Sequence, residues 1–168
     1  MSDMSTLLEQ QIPALRRYAL GLSRDDHTAD DLVQDCLERA ISRWFLRRQG
    51  GDLRAWLFAI LRNLYISSCR TQSRRATSMA IEEIIASDGY PDPEARLETR
   101  DILVALDQLP EEQKSILLLV GVEDFTYEDV ARMLGVPIGT VMSRLSRGRQ
   151  RLRTILGTGQ PTLIRRVK

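Results

Sequence analysis

Apolar side chains recur along the first half of this chain at spacings of three and four residues, the period of an amphipathic α-helix. One apolar stripe covers residues 12–22, a second covers 29–44 and a third covers 53–64, with Gly50 and Gly51 before the last. No run alternates polar and apolar residues as a half-buried strand would. Residues 1–75 are therefore predicted to form a small bundle of about four helices.

The second half begins with a change in composition. Residues 76–98 contain serine, glycine, two prolines and many acidic residues, which is typical of a linker that allows a short helical turn at 80–86. Helical spacing resumes with Ile102, and Pro110 suits the first turn of a further helix. The predicted fold is all-α, with two small helical domains joined by a flexible acidic linker.

The predicted boundaries follow from these changes. A first domain covers residues 1–75, a linker 76–98 and a second domain 99–157, with a basic tail at 158–168.

The second domain contains the signals of two helices joined by a short turn. Thr126 is a natural N-cap, and Asp129 stands three residues later, as in a capping box with Asp in place of Glu. Gly135 suits the left-handed position that ends a helix. A second helix is predicted from about Ile138, so the segment 125–152 has the pattern of a helix-turn-helix.

The second of these helices carries side chains suited to a DNA major groove. Gly139 and Thr140 are small enough to let the backbone approach a phosphate. Ser143 and Arg147 lie one turn apart on one face, where they can reach base edges, and arginine pairs well with guanine. A plain helical hairpin with a basic tail is the alternative. The candidate contacts to a duplex are Gly139, Thr140, Met142, Ser143, Arg144, Ser146, Arg147 and Arg149.

The distribution of charge is more informative than the net charge of +1. Residues 1–42 carry 4 basic and 8 acidic groups, whereas residues 43–75 carry 8 and 1. Residues 76–131 carry 3 basic and 14 acidic groups, whereas residues 132–168 carry 9 and 0. Each basic block suits a phosphate backbone, although a solvated helix face is the alternative for any one of them.

Metal, cofactor and membrane chemistry find little support in the sequence. Cys36 and Cys69 each lie in an apolar helical pattern, which predicts reduced and buried thiols. With His27 as the single histidine, too few ligands are available for a zinc site, and no cofactor is expected. No stretch approaches the length of a membrane span, so a soluble, cytoplasmic protein is expected.

Three segments resemble bacterial RNA polymerase sigma factors of the extracytoplasmic-function (ECF) group. "LPEEQKSILLLVGVEDFTYEDVARMLGVPIGTVMSRLSRGRQRLR" resembles the domain that recognises the promoter −35 element. "TADDLVQDCLERAISRW" and "DLRAWLFAILRNLYISSCR" resemble the domain that recognises the −10 element. The order of the blocks is also that of the family. Met142 stands where many relatives carry Lys or Arg, and Ser146 where many carry a larger residue, so a relative's −35 sequence does not transfer.

The resemblance implies specific contacts. In the family, the "DLVQ" helix docks on the clamp coiled coil of the polymerase, and the matching positions are Asp31, Leu32, Gln34, Asp35, Glu38 and Arg39. The segment around residues 47–70 would meet the −10 element, with the loop 47–54 as a pocket for an extruded base. The candidate −10 contacts are Arg47, Arg48, Arg54, Arg62, Asn63 and Arg70. Trp56, at helical spacing, is predicted to be core rather than a stacking platform.

The resemblance also implies partners and excludes catalysis. The expected partners are core RNA polymerase, through its clamp coiled coil and flap, promoter DNA, and an anti-sigma factor that holds the protein inactive until stress. Two rivals stay open: a sigma-like adaptor that sequesters an anti-sigma factor, and a conventional helix-turn-helix regulator that binds a palindrome as a dimer. An enzyme using Asp30, Asp31, Asp35 and His27 as a metal or acid–base site is a more distant alternative, because acids on a polar helix face are usually solvated.

Overall fold

The computed structural model describes residues 2–71 and 93–157, which form seven α-helices and one 3₁₀ turn, with no strand in those ranges. The all-α prediction is confirmed. The predicted turn at 80–86 and the basic tail lie outside the described residues, as does most of the linker. The helices are α1 (Ser2–Ser23), α2 (Asp26–Ser42), α3 (Leu53–Thr71), α4 (Pro93–Asp107), α5 (Glu111–Gly121), α6 (Tyr127–Leu134) and α7 (Ile138–Leu156), and the 3₁₀ turn covers Trp44–Leu46.

The chain divides into two compact units, an N-terminal one that contains α1 to α3 and a C-terminal one that contains α4 to α7. Helix α4 begins at Pro93, so the last residues of the predicted linker are already helical. This early start suits proline, which is tolerated in a first helical turn because its missing N–H would have no intrahelical partner there.

The core of the N-terminal unit lies where α1, α2 and α3 pack together. The rings of Tyr18 and Phe58 lie 5.2 Å apart between their centroids, and both side chains are fully buried. Cys36 is also buried, and its thiol donates a 3.3 Å hydrogen bond to the carbonyl of Leu57. Burial raises the pKa of this thiol to about 12, so it is a packing group and not a nucleophile. Cys69 is only half-buried.

The end of α2 differs from the prediction. The second apolar stripe was expected to continue inward to Trp44, but α2 ends at Ser42 and the chain enters the 3₁₀ turn. Ile41, within the last turn of α2, is 49% exposed, and Trp44 is half-buried. The bundle of about four helices predicted for residues 1–75 has three α-helices and one 3₁₀ turn over residues 2–71.

The C-terminal unit is built around α5, whose residues from Lys114 to Val120 are all buried. The Lys114 ammonium, itself 4% exposed, pairs with Glu111 at 3.3 Å and with Asp107 at 3.7 Å. Helix α7 packs against α4, α5 and α6. A Cβ atom on Gly148 would lie 3.1 Å from Leu117 Cδ1, so the missing side chain lets α7 approach α5 closely.

Candidate nucleic-acid interfaces

The helix-turn-helix of the C-terminal unit forms as the local signals predict. The Thr126 hydroxyl accepts a 3.1 Å hydrogen bond from the backbone N–H of Asp129 and so caps α6. Gly135 ends α6 with a φ of 64°, in the left-handed region that favours glycine. Helix α7 then begins at Ile138, directly after Pro137. These interactions fix the start of α7 relative to α6.

Helix α7 has one buried and one exposed side. Val141, Leu145 and Leu152 point into the core. The opposite side carries five of the predicted duplex contacts at exposed positions, and Thr140 is half-buried. No atom lies within 4 Å of where a Cβ on Gly139 would be, and its φ is not positive, so neither packing nor backbone strain requires glycine there. The exposed contacts are Gly139, Met142, Ser143, Ser146 and Arg147.

The arginines of α7 do not share one environment. Arg149 is half-buried and donates from Nη2 to the Tyr127 hydroxyl at 3.1 Å, which ties α7 to the start of α6. Arg144 lies 3.7 Å from a Glu112 carboxylate oxygen on α5. Arg147 is exposed. Two of the predicted DNA contacts, Arg144 and Arg149, therefore have partners within the protein, whereas Arg147 belongs to the exposed set.

A polar groove lies beside Arg147. It has a volume of about 510 Å³ and runs between α5 and α7. Two arginines and two glutamines dominate its lining, so it favours anionic or strongly polar groups. The lining residues are Gln113, Arg147, Gln150, Arg151 and Thr154.

The N-terminal unit has Arg47 and Arg48 in the loop before α3 and Arg54 in its first turn, whereas Arg70 lies in the last turn of α3. Asp52 caps α3, since its carboxylate accepts from the N–H groups of Arg54 at 2.9 Å and of Ala55 at 3.3 Å. The Arg47 guanidinium lies 4.7 Å from the Trp44 ring centroid and donates to the Gly51 carbonyl at 3.4 Å. Arg47 therefore stabilises the loop through these two contacts and also contributes a positive charge.

The six predicted −10 contacts divide, like those of α7, into exposed residues and residues that pack against the protein. Arg48, Asn63 and Arg70 are exposed, whereas Arg54 is half-buried with its guanidinium 5.1 Å from the Phe58 ring centroid. Arg62 is only 8% exposed, on the core side of α3. The structure does not place Arg62 among the surface cations, because a long arginine stem packs readily among apolar neighbours.

An exposed apolar tip stands at the 3₁₀ turn, and the sequence analysis did not single it out. Phe45 is 97% exposed and Leu46 is 82% exposed. Arg43 and Arg48 lie on either side in the chain, and both are exposed. The sequence signal for this tip is the apolar pair Phe45–Leu46, which lies between arginines and follows the end of the apolar stripe of α2.

Trp56 is half-buried and lies beside Trp44, with ring centroids 6.4 Å apart in an edge-to-face arrangement. The Trp44 ring also contacts the loop 47–52 through the Arg47 guanidinium. The two indoles thus form an aromatic pair that includes the first residue of the 3₁₀ turn.

A third surface lies on α2. The exposed positions among the predicted polymerase contacts are Asp31, Gln34, Asp35, Glu38 and Arg39, and Gln34 donates to Glu38 at 3.2 Å. Leu32 is 5% exposed and belongs to the core instead. Two further acids are engaged within the unit, since Arg16 pairs with Asp30 at 2.9 Å and with Asp26 at 3.3 Å. These two ion pairs join α1 to α2.

Over residues 2–71 and 93–157, no three His, Cys, Asp or Glu side chains are grouped as a metal site would require. Among the described helices, none combines the length and apolarity needed to cross a membrane.

Comparisons with known proteins match both units. A family model described as the Sigma2 domain of PhyR matches residues 8–62, and one described as sigma-70 region 4 matches residues 99–152. The ECF RNA polymerase sigma factor EcfG of Rhodopseudomonas palustris is 39% identical over 145 residues, covering 86% of this chain and 80% of the relative. The ECF sigma factor SigE of Mycolicibacterium smegmatis is 34% identical over 162 residues, covering 93% of this chain and 62% of the relative.

A solved structure extends the comparison. The sigma factor RpoE from Bartonella quintana, crystallised with the anti-sigma factor NepR, is similar with a TM-score of 0.76 and 35% identity, covering 95% of this chain and 100% of that one.

Proposed function

This chain belongs to the ECF sigma factors of bacterial RNA polymerase, and we propose that it binds core polymerase, directs it to promoters with −35 and −10 elements, and promotes melting of the −10 element. Members of this family are transcription initiation factors and not enzymes. The observation that carries the proposal is that both units present exposed cations, each in a setting suited to a different form of DNA.

The exposed face of α7 supports contact with duplex DNA at the −35 element. An α-helix fits a B-DNA major groove, and the first turns of a recognition helix contact the base edges. The open space around Gly139 suits close approach of a phosphate to the backbone. Ser143 and Arg147 then supply base contacts, while Arg151 and Arg153, both exposed, supply phosphate contacts.

Exposed residues of the apolar tip, the following loop and α3 support contact with the melted −10 element. Proteins that hold single strands combine cations for the backbone with aromatic side chains on which bases stack. Phe45 supplies an exposed aromatic surface, and Arg48 and Arg70 supply exposed cations. Asn63, also exposed, supplies a polar group for a base edge. We assign the −10 function to this surface and exclude Arg62 from it because of its burial.

The exposed face of α2 supports docking on the polymerase. Three carboxylates, an amide and one arginine lie along it, as suits a specific polar protein interface beside a packed core. The relative crystallised with the anti-sigma factor NepR supports extending the proposal to regulation. We propose that an anti-sigma factor covers both units of this chain and keeps it from the polymerase.

Run-off transcription tests the proposal. Purified core RNA polymerase receives this protein and a library of promoter fragments at low and moderate salt. Transcripts that require the protein, with start sites downstream of two shared sequence elements, are the expected result. A variant with Asp31 and Asp35 replaced by Asn is the control for docking, and it should lose transcripts through weaker polymerase binding.

The sigma-like adaptor predicts a different outcome. An adaptor would bind an anti-sigma factor yet yield no transcript with core polymerase. A conventional regulator would instead bind a palindrome as a dimer without polymerase, which sedimentation with and without duplex would reveal.

A further inference from the structure

The N-terminal turns of α7 expose two large apolar side chains. Ile138 is 43% exposed and Met142 is 52% exposed. They stand four residues apart, so they lie on the same side of the helix one turn above each other. Neither belongs to the core stripe formed by Val141, Leu145 and Leu152. We refer to Ile138 and Met142 as the apolar strip.

The strip lies in a strongly cationic and otherwise polar setting. Helix α7 carries five arginines and no acidic residue, and none occurs between residues 132 and 168. Gly139 and Ser143, both exposed, are the residues that follow each member of the strip in the chain. The positive charge favours an anionic partner over a hydrophobic protein surface, and DNA is the partner that accepts both the charge and a helix of this width.

Only one group on the base edges of a major groove is apolar. Thymine carries a C5-methyl group there, while the other base edges present hydrogen-bond donors and acceptors. A thioether side chain is unbranched and adapts its shape to such a contact. A polar base edge against Met142 would instead lose its hydration without gaining a hydrogen bond.

We propose that Ile138 and Met142 recognise thymine methyl groups in the −35 element, so that this chain selects thymine at one or two positions through apolar contact. The inference rests on the proposed function, because it assigns a base preference to the helix proposed to enter the −35 groove. Arg147 and Ser143 recognise hydrogen-bonding base edges in the same element, and the strip adds a contact that senses a methyl group and nothing else.

The test removes the methyl group without changing base pairing. The holoenzyme, made of core polymerase and the full chain, first selects its −35 sequence from a random library. Each thymine of the selected element is then replaced singly by deoxyuridine, and affinity is measured by competition. Loss of one buried methyl contact is expected to weaken binding about fourfold at one or two positions.

Variants assign the effect to the strip. Met142→Gln keeps the side-chain length but removes the apolar end, so deoxyuridine and thymine should bind equally well at one of these positions. Met142→Leu remains apolar and should keep the preference. Ile138→Thr should act in the same way as Met142→Gln, at the same or a neighbouring position. Val104→Ala removes an exposed apolar side chain from α4 and is the matched control, with no change expected.

Four outcomes would overturn the inference. If deoxyuridine costs nothing anywhere, or costs the same in wild type and Met142→Gln, the strip does not recognise methyl groups, and the sigma assignment stands. If Met142→Gln leaves promoter affinity unchanged but weakens binding of an anti-sigma factor, the strip is a protein contact. If the wild-type holoenzyme selects no −35 sequence at all, the proposed function fails first.

Discussion

The two basic surfaces of this chain contain similar numbers of arginines but differ in what lies between them. The basic segment of the N-terminal unit also contains Phe45, Trp44 and Trp56, whereas α7 contains no aromatic residue from its first position to its last. Arginine predicts a phosphate backbone in both cases. The side chains beside the arginines indicate whether the bound DNA is single-stranded or duplex. Aromatic faces stack on unpaired bases, whereas a helix with no aromatic residue and an open glycine fits a duplex groove.

The comparison also shows that a count of arginines overstates the number of DNA contacts. In the N-terminal unit Arg62 is buried, and Arg47 braces its own loop through Trp44 and the Gly51 carbonyl. In α7, Arg149 bonds to the Tyr127 hydroxyl and Arg144 approaches Glu112. A charge block therefore locates a surface, while packing determines which of its members are available to a ligand.

The largest expected effect is on the duplex side of the comparison. Arg147→Ala should weaken −35 duplex binding by about 1–3 kcal/mol and relax base preference at one position, because a bidentate contact to guanine is lost. Binding to core polymerase and to single-stranded −10 oligonucleotides should not change. Competition binding of the holoenzyme to duplexes with single base changes measures both properties.

Arg151→Ala is the matched control for Arg147. Arg151 lies in the same groove, one turn along, and is proposed to contact phosphate. Its loss should weaken all duplexes about equally and reduce the slope of log affinity against log salt by about 1. If both variants changed base preference equally, the division between base and phosphate contacts would be wrong.

The second effect is on the single-strand side. Phe45→Ala should weaken binding of the non-template −10 strand by about 1–3 kcal/mol, the usual value of one stacked base. The side chain is 97% exposed, so folding should be unaffected. Fluorescence anisotropy with a labelled oligonucleotide and open-complex formation on a linear promoter are the measurements.

Phe45→Tyr is the control, because it keeps a stacking face and should retain binding. Duplex −35 affinity should stay the same in both variants. A loss of duplex binding together with strand binding would mean that the two surfaces do not act on different forms of DNA.

The helix-turn-helix could be predicted residue by residue because its signals are local. Thr126, Gly135 and Ile138 occupy the positions that the sequence indicates, since a cap and a left-handed glycine depend on neighbours within a few residues. Whether Arg62 is available to a ligand depends on tertiary packing around α3. The exposure of Phe45 depends on where α2 ends, which apolar spacing did not reveal.

The third prediction separates two glycines of α7. Gly139→Ala should stabilise the C-terminal unit by up to about 1 kcal/mol, because alanine favours a helix and no atom obstructs its Cβ. The same change should weaken duplex binding if a phosphate approaches that backbone. Urea unfolding and duplex competition measure the two effects.

Gly148→Ala gives the contrast. Its Cβ would lie 3.1 Å from Leu117 Cδ1 and 3.4 Å from Gln113 Cβ, so overpacking should offset the gain in helix propensity. We expect a net destabilisation of about 1 kcal/mol with base preference unchanged. If Gly139→Ala stabilised the unit and left duplex affinity intact, close approach of DNA at that position would be excluded.

The smallest expected effect concerns how the two units respond to acid. The Thr28 hydroxyl and backbone N–H donate to Asp25 at 2.6 and 3.1 Å, and these bonds lower the pKa of the carboxyl group that caps α2. Because the folded pKa lies below the unfolded one, the stabilisation is present above the unfolded value and is lost as pH falls through the folded value. The cap of α6 is the Thr126 hydroxyl, which does not titrate.

Asp25→Ala should therefore cost about 1 kcal/mol of unfolding free energy at pH 7 and markedly less near pH 3, whereas Thr126→Ala should show a weaker dependence on pH. Asp129 introduces some dependence in the C-terminal unit, since hydrogen bonds from Thr126 and Arg132 lower its pKa despite the opposing effect of burial. Asp25→Asn keeps an acceptor without a charge, so it should flatten the acid response of the N-terminal unit alone. Urea unfolding at the two pH values measures these costs. If Asp25→Ala cost the same free energy of unfolding at both pH values, the cap would act through its shape and not through its charge. The two units would then differ in their ligands but not in how their helices are capped.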